Sequence, residues 1–595
     1  VQIKYPLDTF ETLPKDGKMD GRFYGFLFQD TDFTKWVEAV AYSLTQHPDP
    51  ELEKTADEAI EVVCAAQRED GYLDTYYLIN DQDMIFTNLK DNHELYCFGH
   101  LTEGAVAYYQ ATGKDRLLKA AERFADFIAS KLGHDEGKKA GYPGHEIAEM
   151  ALMRLYDLTG EQKYLDLAKY FIDERGTKPY YYDIERGLTC PEGEERYGYN
   201  QANRPVRQQD EVQGHSVRAV YLYSGMADVA RATQDESLLK ACETLWNNMV
   251  HQKMYVTGGI GATHMGEAFS FNYDLPNDTA YAETCASIGL VFFARRMLEI
   301  QAKAEYADIM ELALYNGVLS GMALDGKSFF YVNPLEVLPE ACHKDERKFH
   351  VKPIRQKWFG CACCPPNLAR TVSSIASYAY TENDTTLFVH LYMGGTLEGE
   401  KVKASITSEF PWDGHVSLTC ESDTAEPYIF AFRIPGWCSG YKKEIPAGAE
   451  VEEKDGYLYV TKVWAEGETI RLNFPMEIQL LASNPLVRED AGRVTVKRGP
   501  VVYCMEEVDN GKNLHLTKIC VNGSRSAETV DEMGEHFMRI SAEGRRVKMG
   551  DAEKQPLYHL YQKEEEDSTE LKLIPYYMWN NRGEGEMQVW IRACE

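Results

Sequence analysis

Through the first 380 residues, apolar side chains recur at three- and four-residue spacing in segments that stop at a glycine and then resume. One unit runs through Ile147, Ala148, Met150, Ala151, Leu152 and Leu155, stops at Thr159-Gly160, and continues with Tyr164, Leu165, Leu167, Ala168 and Phe171. The unit before it has Ala105 and Val106, then Thr112-Gly113, then Leu117, Leu118, Ala120, Ala121 and Phe124. The spacing predicts amphipathic helices paired into hairpins. Repetition of the pair marks a repeat architecture. First helices are expected to start near Asp32, Gly99, His145, His215, Thr284 and Pro365. Six such helices, most with a second helix after them, predict an (α/α)6 barrel with the first helices inside. One mouth of that ring then gathers His100, His145, His215, Glu283, Cys285, Cys363 and Cys364.

After Tyr380 the pattern turns to short alternating runs divided by Gly, Pro, Asn and Asp, as in 387–392, 428–434 and 494–503. Strands at this density predict β-sandwiches. The fold class expected is a mainly α N-terminal (α/α)6 barrel over 1–380, followed by all-β sandwich domains. A boundary near Asn484-Pro485 separates a sandwich at 381–484 from a second at 485–570. The last strands, in 571–595, are expected to return and complete the first sandwich, and the acidic stretch 563–567 reads as a solvated loop.

A chain of 595 residues is too long for one core, in keeping with several domains. Its formal charge of −31 repels phosphate backbones and anionic lipid, so neither nucleic acid nor membrane is an expected partner. No apolar run of membrane-spanning length and no signal peptide stands out, and the 14 cysteines lack the spacing of a secreted disulfide scaffold. A cytoplasmic location with reduced thiols is the expectation.

Three of those thiols crowd into Cys361-Ala362-Cys363-Cys364-Pro365-Pro366-Asn367. Proline is tolerated in the first helical turn, so the run reads as a helix N-terminus, where free amides and the macrodipole favour thiolate. Glu283-Thr284-Cys285 puts a carboxylate and another thiol at a second helix start. One carboxylate oxygen and three sulfurs would complete a zinc shell, although Cys285 as packing and Glu283 as a capping charge is the alternative. Gly258-Gly259-Ile260-Gly261 lacks the strand context of a phosphate cradle. In the loop that follows, Glu267 stands beside aromatics, where a raised pKa would suit a general acid.

Together, 255–261, Gly266-Glu267-Ala268-Phe269, 273–278, Glu283-Thr284-Cys285-Ala286-Ser287, Phe330-Tyr331-Val332-Asn333 and the Cys363-Cys364-Pro365 run resemble the β-L-arabinofuranosidases, a family of zinc- and cysteine-dependent glycoside hydrolases. Gly21-Arg22-Phe23-Tyr24-Gly25 and 498–503 extend the likeness over nearly the whole chain. The resemblance implies Cys363 as nucleophile, Glu267 as general acid/base, and zinc held by Glu283, Cys285, Cys363 and Cys364. It also implies a sugar pocket lined by His93, His145, His215 and Tyr331, acting on an arabinose-containing oligosaccharide or glycoconjugate; a homodimer is a partner the sequence leaves open. Two other readings stay open: a glycosidase of a related sugar on the same barrel, and a non-catalytic carbohydrate-binding protein with structural zinc.

Overall fold

The computed structural model describes residues 23, 25–188 and 194–595; Gly21, Arg22 and Tyr24 of the N-terminal motif lie outside the described residues. The longer helices are α1 (Asp30–Gln46), α2 (Pro50–Ala65), α3 (Glu94–Thr112), α4 (Arg116–Lys131), α5 (Ala148–Thr159), α6 (Gln162–Glu174), α7 (Ser216–Thr233), α8 (Glu236–Gln252), α9 (Thr284–Ile300), α10 (Ala304–Leu312) and α11 (Cys364–Ser373). Their ends follow local chemistry. Asp49 and Asp235 cap α2 and α8 by accepting from first-turn amides, while Gly113 and Gly160 close α3 and α5 in the left-handed conformation.

Odd-numbered helices pack on one another in cyclic order, α1 on α3, then α5, α7, α9, α11 and back to α1. Each even-numbered helix packs on the odd one before it. Burial follows that division. Helix α3 is buried without a break from Glu94 to Tyr108, whereas α4 buries a stripe of Leu117, Leu118, Ala121, Phe124, Ala125 and Ile128. Two arginines inside the ring are paired with buried carboxylates: Arg370 donates to Glu38 at 2.8 Å and Arg154 to Glu103 at 2.6 Å.

The expected start of one helix at Gly99 is corrected to Glu94. Gly99 and Gly104 are close-approach residues inside α3 and not its boundary. A Cβ on Gly99 would sit 2.4 Å from Ile147, and one on Gly104 would sit 2.6 Å from the Thr34 carbonyl oxygen of α1.

Residues 380–473 form two five-stranded sheets, with strand orders 380–382, 386–389, 428–433, 457–462, 450–454 and 395–398, 403–408, 415–420, 469–473, 442–444. Their inward side chains, among them Phe430, Val460, Trp464, Ile470 and Leu472, make one core. The C-terminal region departs from expectation. Strands 493–498, 501–506, 566–575, 535–547, 517–520 and 591–594 pair in that order, and the last returns to the first, so one sheet closes on itself where a second sandwich was expected. Residues 571–595 therefore complete this sheet and not the first sandwich: Tyr503 pairs with Pro575, and Val494 with Ile591. Strand Ile478–Leu481 also belongs here through its register with Arg498 to Thr495, which moves the boundary ahead of Asn484-Pro485. The acidic stretch is half strand, and Glu564 and Glu566 both accept from Lys518 at 2.6 Å.

The helical and C-terminal regions interlock. Strand Glu336–Val337 pairs with Met587–Gln588. Phe330 stacks flat on Trp579 at 4.1 Å, Trp579 Nε1 donates to Ser320 at 2.8 Å, and the Arg355 guanidinium lies 4.4 Å over Phe330. Both stacked rings are buried, and they fix the chain immediately before Tyr331.

Because the Gly104 contact is with backbone, Gly104→Ala should force α1 and α3 apart and lower stability by about 1–3 kcal/mol. A thermal melt reads this directly; an unchanged Tm would show that the two helices separate freely there.

Candidate active site

All six odd-numbered helices present their N-terminal ends to one cavity of about 510 Å³. Phe28 precedes α1; His93 and Tyr96 open α3; His145 precedes α5; His215 and Arg218 open α7; Glu283 and Cys285 open α9; and Cys363 precedes α11. The placement is local chemistry repeated six times. A helix start leaves amides unpaired, and the residue just before it stands clear of the helix wall. Pro365 and Pro366 fill the first turn of α11, as their missing amides permit. Tyr331 reaches the cavity from the segment braced by Trp579. Its carbonyl accepts from Thr284 N at 2.9 Å, and its neighbour's carbonyl accepts from Thr284 Oγ1 at 2.8 Å, so this segment also fixes the start of α9.

His93, His145, His215, Tyr331, Glu267, Glu283, Cys285 and Cys363 line the cavity, and Cys364 is buried beneath its floor. His100, expected at the mouth, lies inside α3. It is fully buried with its ring edge-on to Tyr96 at 4.5 Å, and among the described residues neither ring nitrogen has a hydrogen-bond partner. The glycine that displaced the predicted helix start displaced this histidine with it.

On the floor, Cys285 Sγ lies 3.4 Å from Cys364 Sγ and 3.7 Å from Cys363 Sγ, and the last two are 3.8 Å apart. Glu283 Oε1 is 3.7 Å from Cys363 Sγ, while Glu283 Oε2 is buried with no partner. Burial, then repulsion from Glu267 and the Cys363 sulfur, pushes the Glu283 carboxyl well up. Burial also raises the Cys364 thiol, whereas the Cys285 thiol, against its own burial, is held down to about 6 by hydrogen bonds from the other two. Three sulfurs and a carboxylate with an orphaned oxygen are a donor set that could hold a metal ion. Tyr331 Oη stands 3.2 Å from Cys363 Sγ.

Glu267 sits on a tight hairpin, 263–268, closed by reciprocal backbone bonds between Thr263 and Ala268. Its own φ is +53°, a conformation that costs a non-glycine residue energy. One carboxylate oxygen is 2.7 Å from His215 Nε2, and the other accepts from Tyr281 Oη at 2.6 Å. These bonds overturn the expected raised pKa. Burial does push the carboxyl up, but the His215 hydrogen bond and then Tyr281 more than offset it, and the net direction is down. His215, Glu267 and Glu283 have ligand atoms within 4.8 Å of one another, so the loop carboxylate and the sulfur cluster share a border.

Backbone partners assign the imidazole protons. His215 Nδ1 accepts from Val217 N at 3.2 Å, so Nε2 carries the proton donated to Glu267. His93 Nδ1 faces the Asp91 carbonyl and His145 Nδ1 the Glu146 carbonyl, each at 3.1 Å. A carbonyl only accepts, so both rings hold their proton there and keep Nε2 as an acceptor. Burial lowers His93 to about 3 and His145 well below its ordinary value, which keeps both neutral. Sequence reasoning missed Tyr96, Arg218, Tyr221 and Tyr281. Tyr96 and Arg218 lie one turn after His93 and His215, a spacing that could have found them. Tyr281 shows no local signal.

Comparison with known proteins follows this division of the chain. The catalytic-domain model described as β-L-arabinofuranosidase, GH127 matches residues 3–377, its middle-domain model 386–476 and its C-terminal model 478–592. A non-reducing end β-L-arabinofuranosidase of Bifidobacterium longum subsp. longum is 40% identical over 97% of this chain and 91% of its own length. A GH127 β-L-arabinofuranosidase from Geobacillus stearothermophilus T6 superposes with a TM-score of 0.94 at 48% identity, covering 99% of this chain and 94% of that one. A second solved GH127 β-arabinofuranosidase gives 0.86 at 36% identity, covering 99% and 92%. With catalytic, middle and C-terminal models all matched in order along one chain, this protein belongs to glycoside hydrolase family 127, the β-L-arabinofuranosidases.

Proposed function

We propose that the chain is a retaining exo-acting glycosidase that releases L-arabinofuranose from β-L-arabinofuranosides, with its pocket at the mouth of an (α/α)6 barrel. The cyclic packing of the six odd-numbered helices, each backed by a second helix or short segment, supports the barrel reading. The relatives' names support the sugar. One observation carries the chemistry: of the four clustered ligand groups, Cys363 is the least buried and lines a sugar-sized pocket.

The cluster fits zinc. A tetrahedron of Zn–S bonds of about 2.3 Å spaces its sulfurs by about 3.8 Å, and the three separations here are 3.4, 3.7 and 3.8 Å. Glu283, Cys285, Cys363 and Cys364 would hold the ion. When bound, zinc supplies the positive charge that keeps these sulfurs ionised at neutral pH.

The protein's own groups then divide the reaction. His93 and His145 accept from sugar hydroxyls through Nε2 and orient the ring. Cys363 Sγ attacks the anomeric carbon as its bond to the leaving oxygen breaks, and Glu267 protonates that oxygen. In the second step Glu267 takes a proton from water, the water oxygen replaces sulfur at the same carbon, and the thiolate returns. Two inversions give net retention. For the first step Glu267 must be protonated, against the pull of His215 and Tyr281. A leaving group that displaces either hydrogen bond would raise its pKa as it arrives.

Purified enzyme should contain about one zinc per chain, and chelation should remove activity before it unfolds the protein. Fully active enzyme without zinc, by elemental analysis, refutes the metal assignment.

Cys363→Ser should abolish turnover, because an alcohol neither ligates zinc as well nor attacks at neutral pH. Cys361→Ser should be mild. The reverse order of losses would move the nucleophile to Cys361.

In Glu267→Gln, the amide can still accept from His215 and meet Tyr281, so folding and zinc content should hold. With a sugar leaving group, the rate should fall by on the order of a hundredfold to ten-thousandfold. An activated aryl glycoside should instead give a burst of phenolate and a one-pentose mass increase on the Cys363 peptide. Equal loss on both substrates with zinc gone would make Glu267 structural.

A further inference from the structure

The cavity wall is a continuous arc of rings. Phe26 stacks on Phe28 at 5.3 Å; Phe28 is 4.8 Å from His93; His93 to His145 is 5.4 Å; His145 to His215 is 5.5 Å; and His215 to Tyr199 is 6.0 Å. The middle of the arc is polar, and His145 and His215 in it are buried. Its two ends are apolar faces open to solvent, with Phe26 45% and Tyr199 40% exposed. A pentose of ten heavy atoms takes at most about 300 Å³ on the scale of about 30 Å³ per heavy atom in liquid water. The cavity of about 510 Å³ therefore has room left toward the mouth.

Chemistry says which end of the arc the leaving group meets. Its oxygen must lie within hydrogen-bond reach of Glu267, and Glu267 is on the Tyr199 side. It is held by His215, and a Cβ on the adjacent Gly266 would sit 3.0 Å from the Tyr199 ring. The outward continuation of the substrate thus runs along Tyr199. The ring is backed by the Arg218 guanidinium at 4.8 Å, itself buried and anchored to the Gly144 carbonyl at 2.9 Å, with its Nε lacking a partner. A cation stacked behind the ring and a glycine beside it fix Tyr199 without using its outer face.

We propose that this outer face of Tyr199 is the platform of a leaving-group subsite that takes a second, neutral sugar ring, a proposal that rests on the glycosidase reading above. The C–H face of a sugar lies on the aromatic ring, and the aglycone leaves past Met265 to solvent. Tyr199 is here a specificity-determining residue, since it touches the part of the substrate that departs.

The test compares methyl β-L-arabinofuranoside with a disaccharide in which the same sugar is β-linked to a second sugar, for wild type, Tyr199→Ala and Tyr199→Phe. Wild type should prefer the disaccharide. Tyr199→Ala should lower kcat/KM about tenfold on the disaccharide, the scale of one aromatic stacking contact, and stay within about twofold on the methyl glycoside. Tyr199→Phe should keep the preference. Equal loss on both substrates in Tyr199→Ala overturns the subsite and leaves Tyr199 as a brace for the Glu267 hairpin. A wild type that cleaves the methyl glycoside but gains nothing from the second ring overturns the subsite alone. A wild type inactive on both overturns the glycosidase reading and the subsite with it.

Discussion

Repulsion on the pocket floor is the constraint that the rest of the site answers to. One carboxylate and three sulfurs are packed at 3.4–3.9 Å with little solvent to screen them. The groups do not share ionisation evenly: the Cys364 thiol is raised by burial while the Cys285 thiol is held down. Mutual repulsion of that kind would drive the two helix starts apart, so the fold must clamp them. Thr284, between Glu283 and Cys285, is bonded through both its amide and its hydroxyl to the Phe330-Tyr331 segment. The imidazoles of the opposite wall stay neutral, since each is denied a second proton by burial. The cavity's charge sits on Arg218, Glu267 and the sulfur cluster, and the proposed chemistry uses the last two.

That arrangement depends on the ring of helices being narrow. Gly99 and Gly104 let α3 approach its neighbours at distances that even an alanine side chain would prevent, and the same closeness brings the helix starts to one small mouth. Stability and function share this geometry. A ring widened to relieve packing would also spread the ligand atoms beyond the reach of one ion.

Signals written within a few residues are legible in the sequence. Helix periodicity, the Thr-Gly stops and the residues just ahead of helix starts are all local, and they suffice to place His145, His215, Glu283, Cys285 and Cys363 at one mouth. The features that escape a sequence reading share the opposite property. A helix start is expected near Gly99, and only its contact with Ile147 across the ring explains the glycine there. Whether Val494 pairs with Ile591, closing a sheet, is a matter of register between distant strands, invisible to alternation. The direction of the Glu267 pKa turns on His215 and Tyr281, neither of which the loop sequence names. The likeness to a family supplies roles that no spacing could give.

The flat stack of Phe330 on Trp579 has a consequence in time. Ser320, which accepts the Trp579 indole proton, lies 259 residues ahead of it in the chain. At synthesis rates of about 5–20 residues per second, that interval lasts on the order of 13–50 s. For the part of that interval after Ser373 ends α11, a nascent chain holds every helix of the ring and no seal behind the wall that carries Tyr331. The helical ring is born with its aromatic seam uncovered, and residues translated long after it are the ones that shut it.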